Sequence, residues 1–192
     1  MDILVTRYIG IKGTAILSRE YEEDLKKRYP AWLVEEAKSF DEGIDEIEKN
    51  DESVIKELSS LRIGYYASYT EFGVFEALFQ MARSLKCGMD IRIKDIPIKQ
   101  ETVEVCEHTG ADPYLLYSGG SFVIACEDSK KLIEELETRN IPAFLIGNTT
   151  STNDKVIINE DERGFLPHVR KDELKRILGR KVYYERTDII RD

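Results

Sequence analysis

The stretch "YTEFGVFEALFQMARSLKCGMDIRIKDIPIKQETVEVCEHTGADPYLLYSGGSFVIAC", residues 69–126, decides how this chain is read. Val74, Ala77, Leu78 and Met81 recur at helical spacing, so a helix is predicted that Thr70 caps, that runs to Leu85 and that stops at Gly88. "MDIRIKDIPI" alternates like a strand with one wet face, and "KQETVEVCEHTG" is a short helix closed by Gly110. "DPYLLYSGG" has the chemistry of a turn, and "SFVIAC" is a buried strand. Helical and strand periods alternate within this one stretch, which a helix bundle or a β-sandwich does not require.

The flanks extend the pattern. "DILVTRYIGI" is a strand entering a tight turn at Gly10 to Gly13, after which Thr14 caps a helix through "AILSREYEEDLKKRY". Pro30 opens a second helix, "AWLVEEAKSF". Residues Asp41 to Glu57 are strongly acidic with sparse Ile and Val. Because charge runs face water, they read as a solvated helix pair with a break near Asn50. "RIGYYAS" is a short strand. "DSKKLIEELETRN" is an amphipathic helix capped by Asp128, "PAFLIGN" and "KVIINE" are strands, and "KDELKRILG" after Pro167 is the last helix. The expectation is one domain over residues 1–192, of α+β class, with a mixed sheet layered between helices.

The charge balance sets the partner classes. With 28 basic and 37 acidic residues the formal net charge is -9, a field that repels phosphate backbones and anionic lipid. Neither nucleic acid nor membrane is an expected partner. No run of about 18 uncharged apolar residues appears, and "MDILVTRYIG" lacks a secretory pattern. Cys87, Cys106 and Cys126 are odd in number and lie beside apolar or helical sequence, which suits a reducing cytoplasm.

Familiar chemistry finds little to use. There is no G-x-x-x-x-G-K-[ST] loop, and "GIKGT" lacks the third glycine of a dinucleotide turn. Cys106 and His108 sit two apart on one helix and point to different faces, so no shared metal is expected. His168 in "GFLPHVR" reads as a surface or packed histidine rather than a base. Arg163, His168 and Arg170 read as ordinary solvated charges rather than an anion site. Cys126, inside an apolar strand, reads as a small core residue.

Three segments in order resemble the C-terminal domain of the AIR synthase (PurM) superfamily, on its HypE-like, AIR synthase-related side. They are "DILVTRYIGIKGTAIL", the stretch quoted first, and "LETRNIPAFLIGNTT", and the resemblance runs from Asp2 to about Ile158. It implies a PurM C-terminal-domain-like α/β/α arrangement on a mixed sheet. It also implies an N-terminal partner domain that holds most of the ATP and magnesium ligands and that this chain lacks. Family members resemble "H-D-x-T-x-G-G" leading into a helix with a glutamate further on. With Thr70 on the family threonine, Ala67 replaces the histidine, Ser68 the aspartate and Phe72 the first glycine; Gly73 keeps the second, and Gln80 stands at the glutamate. No cysteine follows Cys126, so the C-terminal cysteine through which HypE works has no counterpart.

The resemblance therefore implies a stand-alone, HypE-like C-terminal domain that is not catalytic alone and acts as a binding or assembly module, a pseudoenzyme. The alternative is a subunit of a split ATP-dependent enzyme completed by a separate N-terminal-domain chain; Thr70, Glu71, Gly73, Ser118, Gly119 and Gly120 would then line the junction. A third reading is a small-molecule binder that uses the family cleft without turnover. ATP and magnesium enter only with a complementing domain, no metal site is expected of this chain by itself, and self-association or a separate protein chain is expected at the face that domain covers.

Overall fold

The computed structural model describes residues 1–68, 72–168 and 173–179. Thr70, Glu71 and Arg170 lie outside the described residues, as does the segment 180–192.

Two adjacent strands make the centre. β1 (Asp2–Thr6) and β4 (Phe122–Cys126) pair antiparallel, with Ile3 opposite Ala125, Leu4 opposite Ile124 and Val5 opposite Val123. Ile3, Leu4, Val5 and all five residues of β4 are buried, the continuous apolar run expected of a strand covered on both faces. Alternation splits these residues between two cores. Ile3, Val5, Val123 and Ala125 meet Val74, Leu78 and Met81 of α5 (Gly73–Leu85). Leu4, Phe122, Ile124 and Cys126 meet Ile55 of α4 (Ile44–Glu57) and Leu132 and Leu136 of α7 (Ser129–Glu137). Each buried Leu or Ile contributes about 1.5–3 kcal/mol, so period-two alternation alone fixes helices on both faces.

The sheet also holds β2 (Ile63–Ser68), β3 (Gly88–Arg92), β5 (Ala143–Thr150), β6 (Lys155–Asn159) and β7 (Glu162–Phe165), in the order β2-β4-β1-β5-β3-β6-β7. β3 and β6 run parallel and every other neighbouring pair runs antiparallel. The result is the mixed sheet between helix layers that the sequence predicts. A third cluster, with Leu17, Val34, Val105 and Leu116, joins α1 (Ile11–Glu20), α3 (Ala31–Lys38) and α6 (Gln100–Thr109). Among the described residues no helix is long and apolar enough to cross a membrane.

Several local expectations are corrected. Thr14 is not a cap: α1 starts at Ile11 with Gly10 in the capping position, and the Thr14 hydroxyl bonds the Gly10 carbonyl at 2.7 Å and lies 3.0 Å from Thr102 Oγ1. The first helical run breaks at Tyr21 into α1 and α2 (Glu22–Arg28). α4 is one helix straight through Asn50, because burial of Ile44 and Ile55 on one side overrides a weak local breaker. α5 starts at Gly73 and runs to Leu85 as expected, but the left-handed residue that stops it is Lys86, and Gly88 instead opens β3. β7 carries no apolar pattern because all four of its residues are exposed at the sheet edge. The Asp128 cap is as expected, its carboxylate accepting the Lys131 N–H at 3.2 Å.

Candidate functional site

The antiparallel pairings of β4 and β5 with their neighbours put the C-terminal ends of β1, β2 and β3 and the N-terminal ends of β4 and β5 at one end of the sheet. The two candidate segments meet there. Ala67 and Ser68 close β2 opposite Val123 and Phe122, so Ser68 stands directly beside the strand that the Ser118–Ser121 loop enters. α5 then begins against the Asp112–Leu116 turn. Gly73 has φ +69°, and a β-carbon there would lie 2.4 Å from the Tyr114 carbonyl oxygen and 2.7 Å from the Leu115 carbonyl carbon. Phe75 stacks on Tyr114 with ring centres 5.0 Å apart and planes 4° from parallel. Phe72 is half-buried in the capping position of α5, without a side-chain cap. Gln80 is not part of this meeting point. It lies two turns along the helix, about 10 Å of rise from Gly73, exposed, and donates to Glu76 Oε1 at 2.5 Å.

The Ser118–Ser121 loop is buried, and both its hydroxyls, the Ser118 carbonyl and the Gly120 amide are engaged within the fold. Ser118 Oγ accepts the Gly10 N–H at 2.8 Å, and the Ser118 carbonyl accepts the Lys12 N–H at 3.2 Å. The Gly120 N–H donates to Glu48 Oε2 at 2.8 Å, and Ser121 Oγ donates to the Tyr8 carbonyl at 2.9 Å. Gly119 and Gly120 are both left-handed, at φ +54° and +66°, with no room for a side chain: added β-carbons would lie 2.5 Å from Lys12 Cδ and from Ile44 Cγ1.

What sequence reasoning missed is the inner face of α4. Ile44, Glu48, Asp51 and Ile55 follow i, i+4, i+7, i+11 spacing, so two acids occupy positions of the inward stripe. Asp51 is fully buried, not solvated, and takes the Arg7 guanidinium at 2.5 and 3.0 Å. Beside the stripe, Asp45 accepts the Lys12 ammonium at 2.6 Å. Burial works against the Lys12 charge, but its bonds to Asp45 and to Tyr117 outweigh burial and hold its pKa above the ordinary value. The same bond holds the Asp45 carboxyl below its ordinary value. The signal was present in the sequence as acids at core-facing spacing between Ile44 and Ile55.

Next to the loop, across Tyr8, opens a cleft of ≈ 630 Å³ with Tyr8, Ile96, Pro97, Ile98, Phe144 and Leu145 among its walls. Arg163 bonds Asp90 at 3.1 and 3.2 Å, the His168 ring packs on Phe79 at 5.2 Å, and the His108 ring meets Tyr29 edge-on. Burial pushes the Cys126 thiol up to about 11 and the Cys106 thiol up to about 12, away from nucleophilic or ligating forms. Among the described residues no three His, Cys, Asp or Glu side chains gather as a metal would need.

Residues 3–159 match the family described as AIR synthase related protein, C-terminal domain. The chain belongs to this family. It is 30% identical over 164 residues to a putative hydrogenase expression/formation protein of Methanocaldococcus jannaschii, a match that covers 81% of this chain and 44% of that protein. The crystal structure of E. coli HypE, a hydrogenase maturation protein, superposes with a TM-score of 0.68 at 20% identity, over 92% of this chain and 52% of that one. The crystal structure of a HypE-HypF complex superposes with a TM-score of 0.65 at 20% identity, over 87% of this chain and 52% of that one. The chain thus spans about half the length of the relatives it matches. In this AIR synthase-related domain Gly73 packs against Tyr114 and Leu115, Ser118, Gly119 and Gly120 pack against Gly10, Lys12 and Ile44, and Gln80 lies exposed along α5.

Proposed function

We propose that residues 1–192 act as one HypE-like, AIR synthase-related C-terminal domain that is not catalytic by itself and serves as a binding or assembly module in hydrogenase-maturation-type chemistry. The observation that carries this reading is the state of the Ser118–Ser121 loop: its hydroxyls and the Gly120 amide are bonded to Gly10, Tyr8 and Glu48. A loop spent on holding β1, α1 and α4 together supports a framework role. Gln80, exposed and neutral, adds no charge that holds metal or moves a proton. A relative seen in a HypE-HypF complex supports association with a protein chain, or with a second copy, at the face a complementing domain would cover. Three free cysteines fit a cytoplasmic setting.

The rival reading is a split enzyme, in which a separate chain supplies the ATP and magnesium ligands. It is supported by the likeness of this fold to a HypE structure solved in complex with ATP, at a TM-score of 0.64. Thermal-shift titration with ATP and magnesium, with ADP, and with magnesium alone separates the readings. A ligand at 100 times its Kd adds about 2.7 kcal/mol to folding stability, or roughly 5–10 °C in a chain of this size. The module reading expects no saturable shift up to the millimolar range and stable co-purification with a partner without turnover. A sub-millimolar ATP shift, or ATP hydrolysis restored by mixing with a co-purifying chain, overturns it.

A further inference from the structure

The sheet ends in two edge strands, β2 and β7. β2 meets β4 with a register shift between Ile63 and Tyr65, the kind of irregularity that blunts an edge. β7 carries no such device. Its register against β6 is unbroken, from Asn159 opposite Glu162 to Val156 opposite Phe165, and it holds neither proline nor lysine. Among the described residues nothing pairs with its outer side. Phe165 is 76% exposed, more than any other large apolar side chain among the described residues.

The free edge has a definite pattern. The Leu166 N–H donates to the Lys155 carbonyl at 2.8 Å, so the backbone groups of Leu166 point inward to β6. Inward and outward groups alternate along an antiparallel ladder, so Gly164 and Glu162 also point inward, and the N–H and C=O of Arg163 and Phe165 point out. Arg163 and Phe165 stand two apart on one face of the strand, where Arg163 is held by Asp90. A two-fold axis normal to the sheet pairs two such strands antiparallel and places one residue opposite its own copy. Centred on Glu162 or on Arg163, like charges face each other. Centred on Phe165, Arg163 falls opposite Pro167, which has no N–H to give. Centred on Gly164, each Arg163 faces Phe165 of the other copy, so all the outward groups of both strands close N–H to C=O bonds. Each Phe165 ring also meets an arginine, a cation–π partner. Gly164 then faces Gly164 in the close unbonded position, where nothing lies within 4 Å of its virtual β-carbon. We propose that β7 is a self-pairing edge, through which two copies of this chain join antiparallel about Gly164 and merge their sheets into one. A contact of this size belongs to the weak, reversible class.

The test is sedimentation equilibrium from about 1 μM to 1 mM chain, the weak half of the affinity scale, in about 0.5 M NaCl to screen the repulsion between two chains of net charge -9. The wild-type mass should climb from 22.2 kDa toward twice that value. Phe165→Lys puts a like charge opposite Arg163 at both ends of the contact and should weaken the dimer about tenfold or more. Its own fold is spared because Phe165 is exposed. A wild type that stays at 22.2 kDa throughout, or a dimer that Phe165→Lys leaves intact, overturns the proposal. Register is read by mild oxidation in a Cys87→Ser background, which removes the half-buried native thiol. Gly164→Cys should give a disulfide-linked pair, whereas Glu162→Cys should not, because its two copies would stand four residues apart along the strands, about 13 Å. Equal cross-linking of the two variants overturns the Gly164-centred pairing. Because β7 lies at the opposite edge of the sheet from β2 and Ser68, its pairing and the module role are tested independently.

Discussion

Replacing Gly73 with alanine asks whether this residue is kept for ligand approach or for packing. Its φ of +69° is a conformation that costs an L-residue about 1–2 kcal/mol. The added carbon would also sit 2.4 Å from the Tyr114 oxygen and 2.7 and 2.8 Å from Leu115 backbone atoms. Those atoms are backbone, and the turn that carries them is pinned by the Phe75 N–H to the Tyr114 carbonyl and by the Phe75–Tyr114 stack. Overpacking against such a wall adds about 1–3 kcal/mol, for a total of about 2–5 kcal/mol. Gly110 supplies the control: its φ is +70°, yet nothing lies within 4 Å of its virtual β-carbon, so Gly110→Ala should cost the conformational part alone. Urea unfolding followed by circular dichroism gives both values. Gly73→Ala should lower the midpoint well beyond Gly110→Ala, with an unchanged slope. Equal losses would show that the turn yields, and the argument that Gly73 is a packing residue would fail.

Asp51→Asn leaves the partly exposed Arg7 guanidinium without its carboxylate and should cost about 2–3 kcal/mol, somewhat less than for a fully buried pair; a loss under 0.5 kcal/mol in the same unfolding assay would mean that α4 is held by its other contacts and not by the Arg7 pair. Burial, with Glu173 adding to it, holds the Asp112 carboxyl above its ordinary value. A carboxyl raised in the folded state contributes stability at low pH that is lost as pH rises through its folded pKa. The melting temperature of Asp112→Asn relative to wild type should therefore be higher at pH 7 than at pH 4, and the reverse order would refute that cause. Cys106 and Cys126 are buried with strongly raised thiols, whereas Cys87 is half-buried and raised less far. Ellman's reagent at pH 8 should label Cys87 first in the native chain and the other two only after denaturant, and labelling of all three at one rate would contradict this.

The frame of the fold was legible because its central strands are extreme cases. "ILV" and "FVIAC" are apolar without interruption, which only a strand covered on both faces tolerates, and the helix of Val74, Leu78 and Met81 supplies one cover. The candidate segments around Gly73 and Ser118 were legible through resemblance, since glycine and serine in a turn carry little chemical identity by themselves. α4 was misread because charge predicts exposure only when nothing of opposite sign lies beneath. Arg7, 44 residues away in sequence, is what makes a buried Asp51 tolerable, and no local pattern reports it. Thr14 failed for a similar reason: its hydroxyl has Thr102 to meet across 88 residues, so it serves the helix interior and leaves the capping position to Gly10.

The same kind of long-range pairing holds the Ser118–Ser121 loop in place. Removing Ser118 would leave the Gly10 N–H at the start of α1 without its acceptor, and removing Ser121 would free the Tyr8 carbonyl beside the cleft. An orphaned buried donor or acceptor costs about 1–3 kcal/mol, comparable to losing a core methyl pair. The loop residues are thus held by folding whether or not a ligand ever visits them, whereas nothing in the packing holds a carboxylate at the exposed position of Gln80. Gln80 and the Ser118–Ser121 loop thus differ in burial, and of the two only the loop helps close the fold.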